Sequence, residues 1–179
     1  MVLDWYDAIH RGYGFGGSNN IQGDGVNTAM VQLLNPTTKS SKIPVTGFIR
    51  SVTFWCTVNA FVEYGFYTQT TLTGGPILGV NKLGADFPTT GNASSILQLR
   101  SQNFIPANFP FPGQFALTAG VPFSIPEWFG RIPPADPANG IAQTSFAAQF
   151  RGFPGGGILA VGQFGGMTCE WIELPSGVL

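Results

Sequence analysis

Few residues in this sequence are of a type that does chemistry, and their spacing argues against most chemistries. His10 is the single histidine of the 179-residue chain. A zinc site takes three or four Cys, His or carboxylate ligands at set spacings, and no cysteine lies near His10 in sequence. A Ser-His-Asp or Cys-His arrangement would have to recruit that same histidine. The two cysteines, Cys56 and Cys169, sit in apolar, strand-like runs, TFWCTV and MTCEWI. They are expected as buried, reduced thiols, which are poor nucleophiles. Glu170 and Glu173 are the best candidate carboxylate pair, because glycoside hydrolysis needs two carboxyls across a cleft. Residues three apart in a strand face opposite ways, so the two are read as solvated or intersubunit charges near a strand end. Glu63 interrupts an apolar run and is read as edge or interface charge, with Arg50 and Arg100 as candidate partners. Gly12, Gly14 and Gly17 satisfy G-x-G-x-x-G, but the turn-rich SNNIQGDG follows where a dinucleotide site needs a helix. No catalytic residue, cofactor or metal is expected.

Charge is scarce: 9% of residues are charged and 44% hydrophobic, against roughly 25% charged in an ordinary soluble domain. Such a composition implies a surface made for contact. No membrane partner is expected, because a spanning helix needs about 18 unbroken apolar residues. The long charge-free run at residues 101–126 contains Pro106, Pro110, Pro112, Pro122 and Pro126. The N-terminal stretch MVLDWYDAIHRGYG has Asp4 and Asp7 where a signal peptide is basic, so the chain is expected to be made and kept in a cytoplasm. A formal net charge of −1 leaves no electrostatic footprint for nucleic acid.

The elements that must position these residues are strands. Gly (25) and Pro (14) interrupt every helical apolar stripe. Residues 28–34 (TAMVQLL) read as a strand that ends at Asn35-Pro36. Residues 43–58 alternate, with Val52, Phe54, Cys56 and Val58 on one face; residues 61–68 place Val62, Tyr64 and Phe66 together. These three runs are expected to pair as an antiparallel meander. Leu97 and Leu99 share a side of a short strand, and Phe146, Ala148 and Phe150 share a face of another. Residues 158–161 and 167–174 are expected to close the chain as a hairpin, with Met167, Cys169 and Trp171 on one face. Seven or eight strands indicate an all-β, antiparallel sandwich, jelly-roll-like. Its domain is assigned to residues 28–179, preceded by an N-terminal arm at 1–27. Residues 101–140 hold eight of the fourteen prolines together with seven aromatics. They are read as a long insertion, folded over its own sandwich, packed on a neighbouring subunit, or locally disordered.

Two stretches carry a resemblance. LLNPTTKSSKIPVTGFIRSVTF, a strand ending in L-N-P followed by a Ser/Thr/Lys turn and a β-branched strand, resembles small structural proteins encoded in tailed-phage and prophage head gene clusters. PGGGILAVGQFGGMTCEWIEL is similar to the closing Pro-Gly turn and E-W-x-E-like last strand of that class. The resemblance covers about a quarter of the chain. It implies a non-enzymatic virion component that decorates or cements the capsid, commonly as a homotrimer bound to the major capsid protein or other virion proteins and assembled in a bacterial cytoplasm. Such a protein acts by mass action, lowering the free energy of the assembled state it binds. Neighbour contacts are expected in 1–27 and 101–140. Trp5, Tyr6, Tyr13 and Phe15 are the candidate anchors on the first, and Phe109, Phe111, Trp128 and Phe129 on the second, since aromatic groups dominate interface energetics. A tail, neck or head-fibre module that stacks exposed aromatics on receptor glycans is the alternative, followed by a jelly-roll shell subunit.

Overall fold

The period-two alternation along the chain folds into two sheets that share one core. In the computed structural model, residues 5–68, 80–83, 95–104, 113–125, 130–153 and 156–176 are described. A short helix, α1 (Trp5–His10), precedes β1 (Gly14–Gln22), β2 (Thr28–Asn35), β3 (Val45–Cys56), β4 (Ala60–Tyr67), β5 (Val80–Lys82) and β6 (Gln98–Phe104). Then come β7 (Gly113–Leu117), β8 (Phe123–Ile125), β9 (Gly130–Ile132), β10 (Thr144–Gly152), β11 (Gly157–Ile158) and β12 (Phe164–Pro175). One sheet has the order β5-β1-β12-β3-β8, with β9 also on β3; the other has the order β6-β2-β10-β4-β7, with β11 on β10. Every strand pairing within them is antiparallel. The protein is therefore an all-β sandwich. Successive strands β1 to β4 alternate between the sheets, β7 and β8 lie in opposite sheets, and so do β10 and β12 on either side of the short β11, which is a jelly-roll-like strand order.

The core is aromatic at its centre. The Phe54 ring lies 5.3 Å from Tyr64, 5.6 Å from Phe115 and 6.4 Å from Phe146, distances at which tilted and edge-to-face rings attract. Gly165 makes room for one of these layers: a Cβ there would fall 2.4 Å from Cγ of Phe150. A bulge sets the phase of β3. Ser51 pairs with Glu170 and Ile49 with Trp171, leaving Arg50 unpaired. Ile49 thereby joins Val52, Phe54 and Cys56 in the core, while Arg50 is carried to the outer face.

Four expectations change. The first three long strands do not form a meander, because β2 and β4 lie in one sheet and β3 in the other. Alternation determines which face of a strand is buried but not which strand lies beside it. The closing hairpin is likewise absent. Ile158 pairs with Arg151 of β10, and β12 runs between β1 and β3. The N-terminal arm is in part a strand of the sandwich: residues 14–22 pair with β12 along their whole length, and Phe15 is 4% exposed. Its glycines hid it, since they remove the apolar half of the alternation. Segment 101–140 is also not one insertion. Its described parts end β6 and supply β7, β8 and β9, and Leu117 and Ile132 are buried in the core. Those strands are too short, and too often broken by proline, to show a period.

Candidate functional site

The sandwich has two unlike ends. At one end lie the connections β1–β2, β3–β4, β7–β8 and β10–β12, held to each other largely through the backbone. Gly23 N–H donates to Gln163 (2.8 Å), Gly25 N–H to Leu159 (3.1 Å), Thr57 N–H to Phe164 (2.9 Å), Gly120 N–H to Cys56 (2.8 Å) and Phe153 N–H to Asn59 (3.0 Å), each to the carbonyl oxygen. Gly23 permits the closest approach; a Cβ there would sit 2.2 Å from the Leu159 carbonyl oxygen. Because the polar backbone is satisfied internally, the side chains are free to be apolar. Val26 (72% exposed) and Val161 (71%) project here, with Val121, Phe123, Phe153 and Ile158 also exposed. Among the described residues of these connections, Asp24 is the lone charge. Its carboxylate accepts from the backbone N–H groups of Val26 (2.8 Å) and Asn27 (2.6 Å) and from the Asn27 amide (2.8 Å). Those bonds, led by the Asn27 backbone, hold its pKa below the usual value.

The opposite end is tied by side chains. Glu173, 6% exposed, points to the same face of β12 as Trp171. Its Oε1 accepts from the Ser95 hydroxyl (2.6 Å), the Leu97 N–H (3.0 Å) and the Trp171 indole N–H (2.9 Å), and its Oε2 from the Ile96 N–H (2.8 Å). It is therefore not a solvated strand-end charge. Four donors satisfy a buried carboxylate and hold residues 95–97 against the sandwich. The nearby Asn35 amide donates to the carbonyls of Val45 (2.7 Å) and Ile132 (3.1 Å), while its oxygen accepts from Thr37 N–H (3.0 Å) and hydroxyl (2.7 Å). Asp136 accepts from Lys39 Nζ at 2.5 Å and from Asn139 at 2.7 Å. The Lys39 bond, first, and the Asn139 bond hold its pKa down. Beside this pair lies a cavity of about 400 Å³ lined by Arg131, Ile132, Pro133, Phe66 and Ile141 among others.

The remaining candidates disperse. Tyr6 and Tyr13 are exposed. Trp5 instead packs with Ala8, Phe48, Ile172 and Leu174 over the outer face of β12, beneath Arg50 at 5.0 Å. Phe15 stacks on Trp171 inside the core, ring centroids 6.3 Å apart, and so cannot serve as an external anchor. Phe109, Phe111, Trp128 and Phe129 lie outside the described residues. His10 is exposed on the last turn of α1. Gly12 ends that helix at φ 79° and Gly14 lets Ile9 pack on β1, which accounts for two glycines of the G-x-G-x-x-G pattern. Glu170 and Glu173 do face opposite ways: Glu170 accepts from Ser51 (3.0 Å) on the outer face and lies 3.9 Å from Arg50. Glu63 lies 3.3 Å from Arg151, rather than pairing with Arg50 or Arg100, and also accepts from Gln149. Its strand β4 is interior to the sheet, between β10 and β7. Cys56 and Cys169 are free and buried, and desolvation pushes both thiols up, away from the reactive thiolate. Among the described residues no group of three or more His, Cys, Asp or Glu could hold a metal, and no helix is long and apolar enough to cross a membrane.

The fold and these surfaces define an all-β sandwich with one apolar, nearly charge-free end. A scan against protein-family models, a search of curated proteins and a search of solved structures each return no match.

Proposed function

We propose that this chain is a non-enzymatic structural protein of a virion, a capsid decoration or cement protein that binds the assembled shell and stabilises it through apolar contacts. The supporting observation is the end of the sandwich that exposes Val26, Val121, Phe123, Phe153, Ile158 and Val161, with Asp24 as the one charge among the described residues of its connections. Clustered exposed apolar side chains of this kind mark protein–protein contact surfaces, and permanent interfaces are the more hydrophobic class. The chain associates as a homotrimer and docks on the major capsid protein, adding RT ln(1 + [L]/Kd) per site to the stability of the assembled lattice. Its place is the virion surface, after assembly in the bacterial cytoplasm.

The strand order favours one second reading, a shell subunit, since jelly rolls build capsids as well as lectin domains. Copy number by gel densitometry of purified particles separates the readings. A decoration protein is present in dozens to hundreds of copies beside a separate, more abundant shell protein. A few copies per particle would assign it to a tail or fibre, and dominance of the particle's protein mass would make it the shell itself. Val161→Asp should reduce incorporation at least about tenfold while shifting unfolding stability by no more than about 0.5 kcal/mol, the usual range for exposed positions. Undiminished incorporation would remove the apolar end from the assembly contact.

A further inference from the structure

Among the described residues, the outer face of the β5-β1-β12-β3-β8 sheet is covered over only one half. Helix α1 packs there on Ile172 and Leu174, and Leu83 lies against Gly16. The Glu170–Arg50 pair marks the boundary of that covered half. Beyond it, three registers of side chains face outward. Ser18, Thr168, Thr53 and Ser124 form one row across four strands. Asn20, Gly166 and Trp55 form the next. Gln22, Phe164 and Thr57 complete the face. None of these residues is charged.

Trp55 is the feature that ordinary sheet packing explains only in part. A Cβ built on Gly166 would lie 2.3 Å from Cε2, 2.4 Å from Cζ2 and 2.4 Å from Nε1 of its indole. Three ring atoms at nearly equal distance mean that the indole lies flat on the glycine backbone. One ring face is thereby used, as when an aromatic covers a strand glycine. The other is directed outward, leaving the residue part-exposed, and among the described residues the indole N–H has no hydrogen-bond partner. Hydroxyls flank the ring in an ordered row: Thr168 donates to Ser18 (2.9 Å), and Thr53 and Ser124 share a hydrogen bond of 2.8 Å. Asn20 and Gln22 are exposed on β1, the strand beyond β12.

We propose that this face binds a neutral oligosaccharide, one sugar ring stacking on the outward face of Trp55 and its hydroxyls bonding Asn20, Ser18, Thr168 and Gln22. The C–H groups of a pyranose carry partial positive charge and complement the negative face of an indole. Charge complementarity selects the ligand class. An uncharged face offers no cation to an acidic glycan and no ion to desolvate beneath a neutral one. Strand and side-chain spacings make the face about 14 Å by 13 Å, room for roughly two or three linked rings. A protein partner is disfavoured here, because interface centres are rich in clustered aromatic and apolar anchors and this face has rows of hydroxyls. The inference concerns a surface apart from the apolar end and does not rest on the assembly role.

The test is affinity electrophoresis of the isolated protein through gels containing dextran, mixed-linkage β-glucan, xylan or galactomannan, with alginate as the anionic comparison. Retardation by at least one neutral polysaccharide is expected. Trp55→Ala should weaken it about tenfold or more, and Trp55→Phe, which keeps a ring on Gly166, by less. Asn20→Ala and Ser18→Ala leave the indole packing untouched and should each weaken retardation several-fold with unchanged thermal unfolding. Migration unaffected by every neutral polysaccharide, retardation by alginate alone, or retardation undiminished in both Trp55→Phe and Asn20→Ala would overturn the proposal. Because the readout needs no particle, its failure leaves the assembly role standing, and failure of that role leaves this site standing.

Discussion

The two ends of the sandwich solve the same problem in opposite ways. Both must satisfy the backbone groups of several connections where the sheets stop. At the apolar end, the connections bond each other main chain to main chain, as in Gly23 to Gln163 and Gly120 to Cys56. Side chains add fewer bonds between connections, as where Ala119 N–H donates to the Asn59 side-chain oxygen (2.9 Å), and several of them are exposed and apolar. At the other end, Glu173, Asn35 and Asp136 each gather donors or acceptors from two or more segments. Polar side chains are consumed in holding the fold and are not offered to a partner. The difference teaches that the scarcity of charge is local: charge is spent on structure at one end and withheld at the other, where contact is proposed.

The largest expected effect falls on the polar end. Glu173→Ala leaves the Trp171 indole N–H and the Ile96 and Leu97 N–H groups without their acceptor. Each buried donor left unsatisfied costs about 1–3 kcal/mol, so urea unfolding should show a loss of at least about 3 kcal/mol. Glu173→Gln keeps three bonds at Oε1 but turns an N–H toward Ile96, and should lose less. Equal stability of Glu173→Ala and the parent protein would show that the carboxylate does not hold the end together. At the apolar end the sensitive atoms are backbone. Gly23→Ala drives a Cβ into the Leu159 carbonyl, and overpacking of this kind costs about 1–3 kcal/mol. An unchanged denaturation midpoint would mean that these connections yield freely, and the contrast between the ends would weaken.

The smallest effect is a dependence on pH. Asp136 and Asp24 both have folded-state pKa values below the ordinary 3.8. A depressed carboxylate stabilises the fold above its unfolded value, and that contribution is lost as pH falls through the lower, folded value. Acidification from about pH 5 to pH 2 should therefore lower the denaturation midpoint of the parent protein, and less so in Asp136→Asn. Asp24→Asn provides the matching measurement at the apolar end. Parallel pH profiles for the parent and Asp136→Asn would show that the Lys39 pair contributes nothing, as exposed ion pairs often do; here Asp136 is 9% exposed and Lys39 65%.

Legibility in the sequence followed the length of uninterrupted alternation. The faces of β3 and β10 were readable because Val52, Phe54 and Cys56, and Phe146, Ala148 and Phe150, are spaced two apart in runs without glycine or proline, and all six are buried. The end of β2 was readable at Asn35-Pro36, though the amide's bonds to Val45 and Ile132 span 10 and 97 residues and were not. Strand β1 was not readable, since GFGG shows one large apolar residue where a strand would show two. The role of Glu173 was not readable either: only the Trp171 indole lies near it in sequence, and its other three donors, at residues 95–97, are more than 70 residues away. The same holds for the platform of Trp55, which exists because Gly166, 111 residues later, lies opposite it in register.

The amino-acid sequence alone was enough to establish that this chain is built of strands and turns and is poor in charge. Those properties are local or compositional; glycine, proline and side-chain alternation act on a residue and its immediate neighbours. Only the tertiary structure decided which strands lie side by side, and hence where the apolar residues emerge together and where the carboxylates are buried. Strand pairing is a long-range choice, made by mutual burial of faces across a shared core. Alternation leaves that choice open, because any strand with one apolar face satisfies the same local pattern.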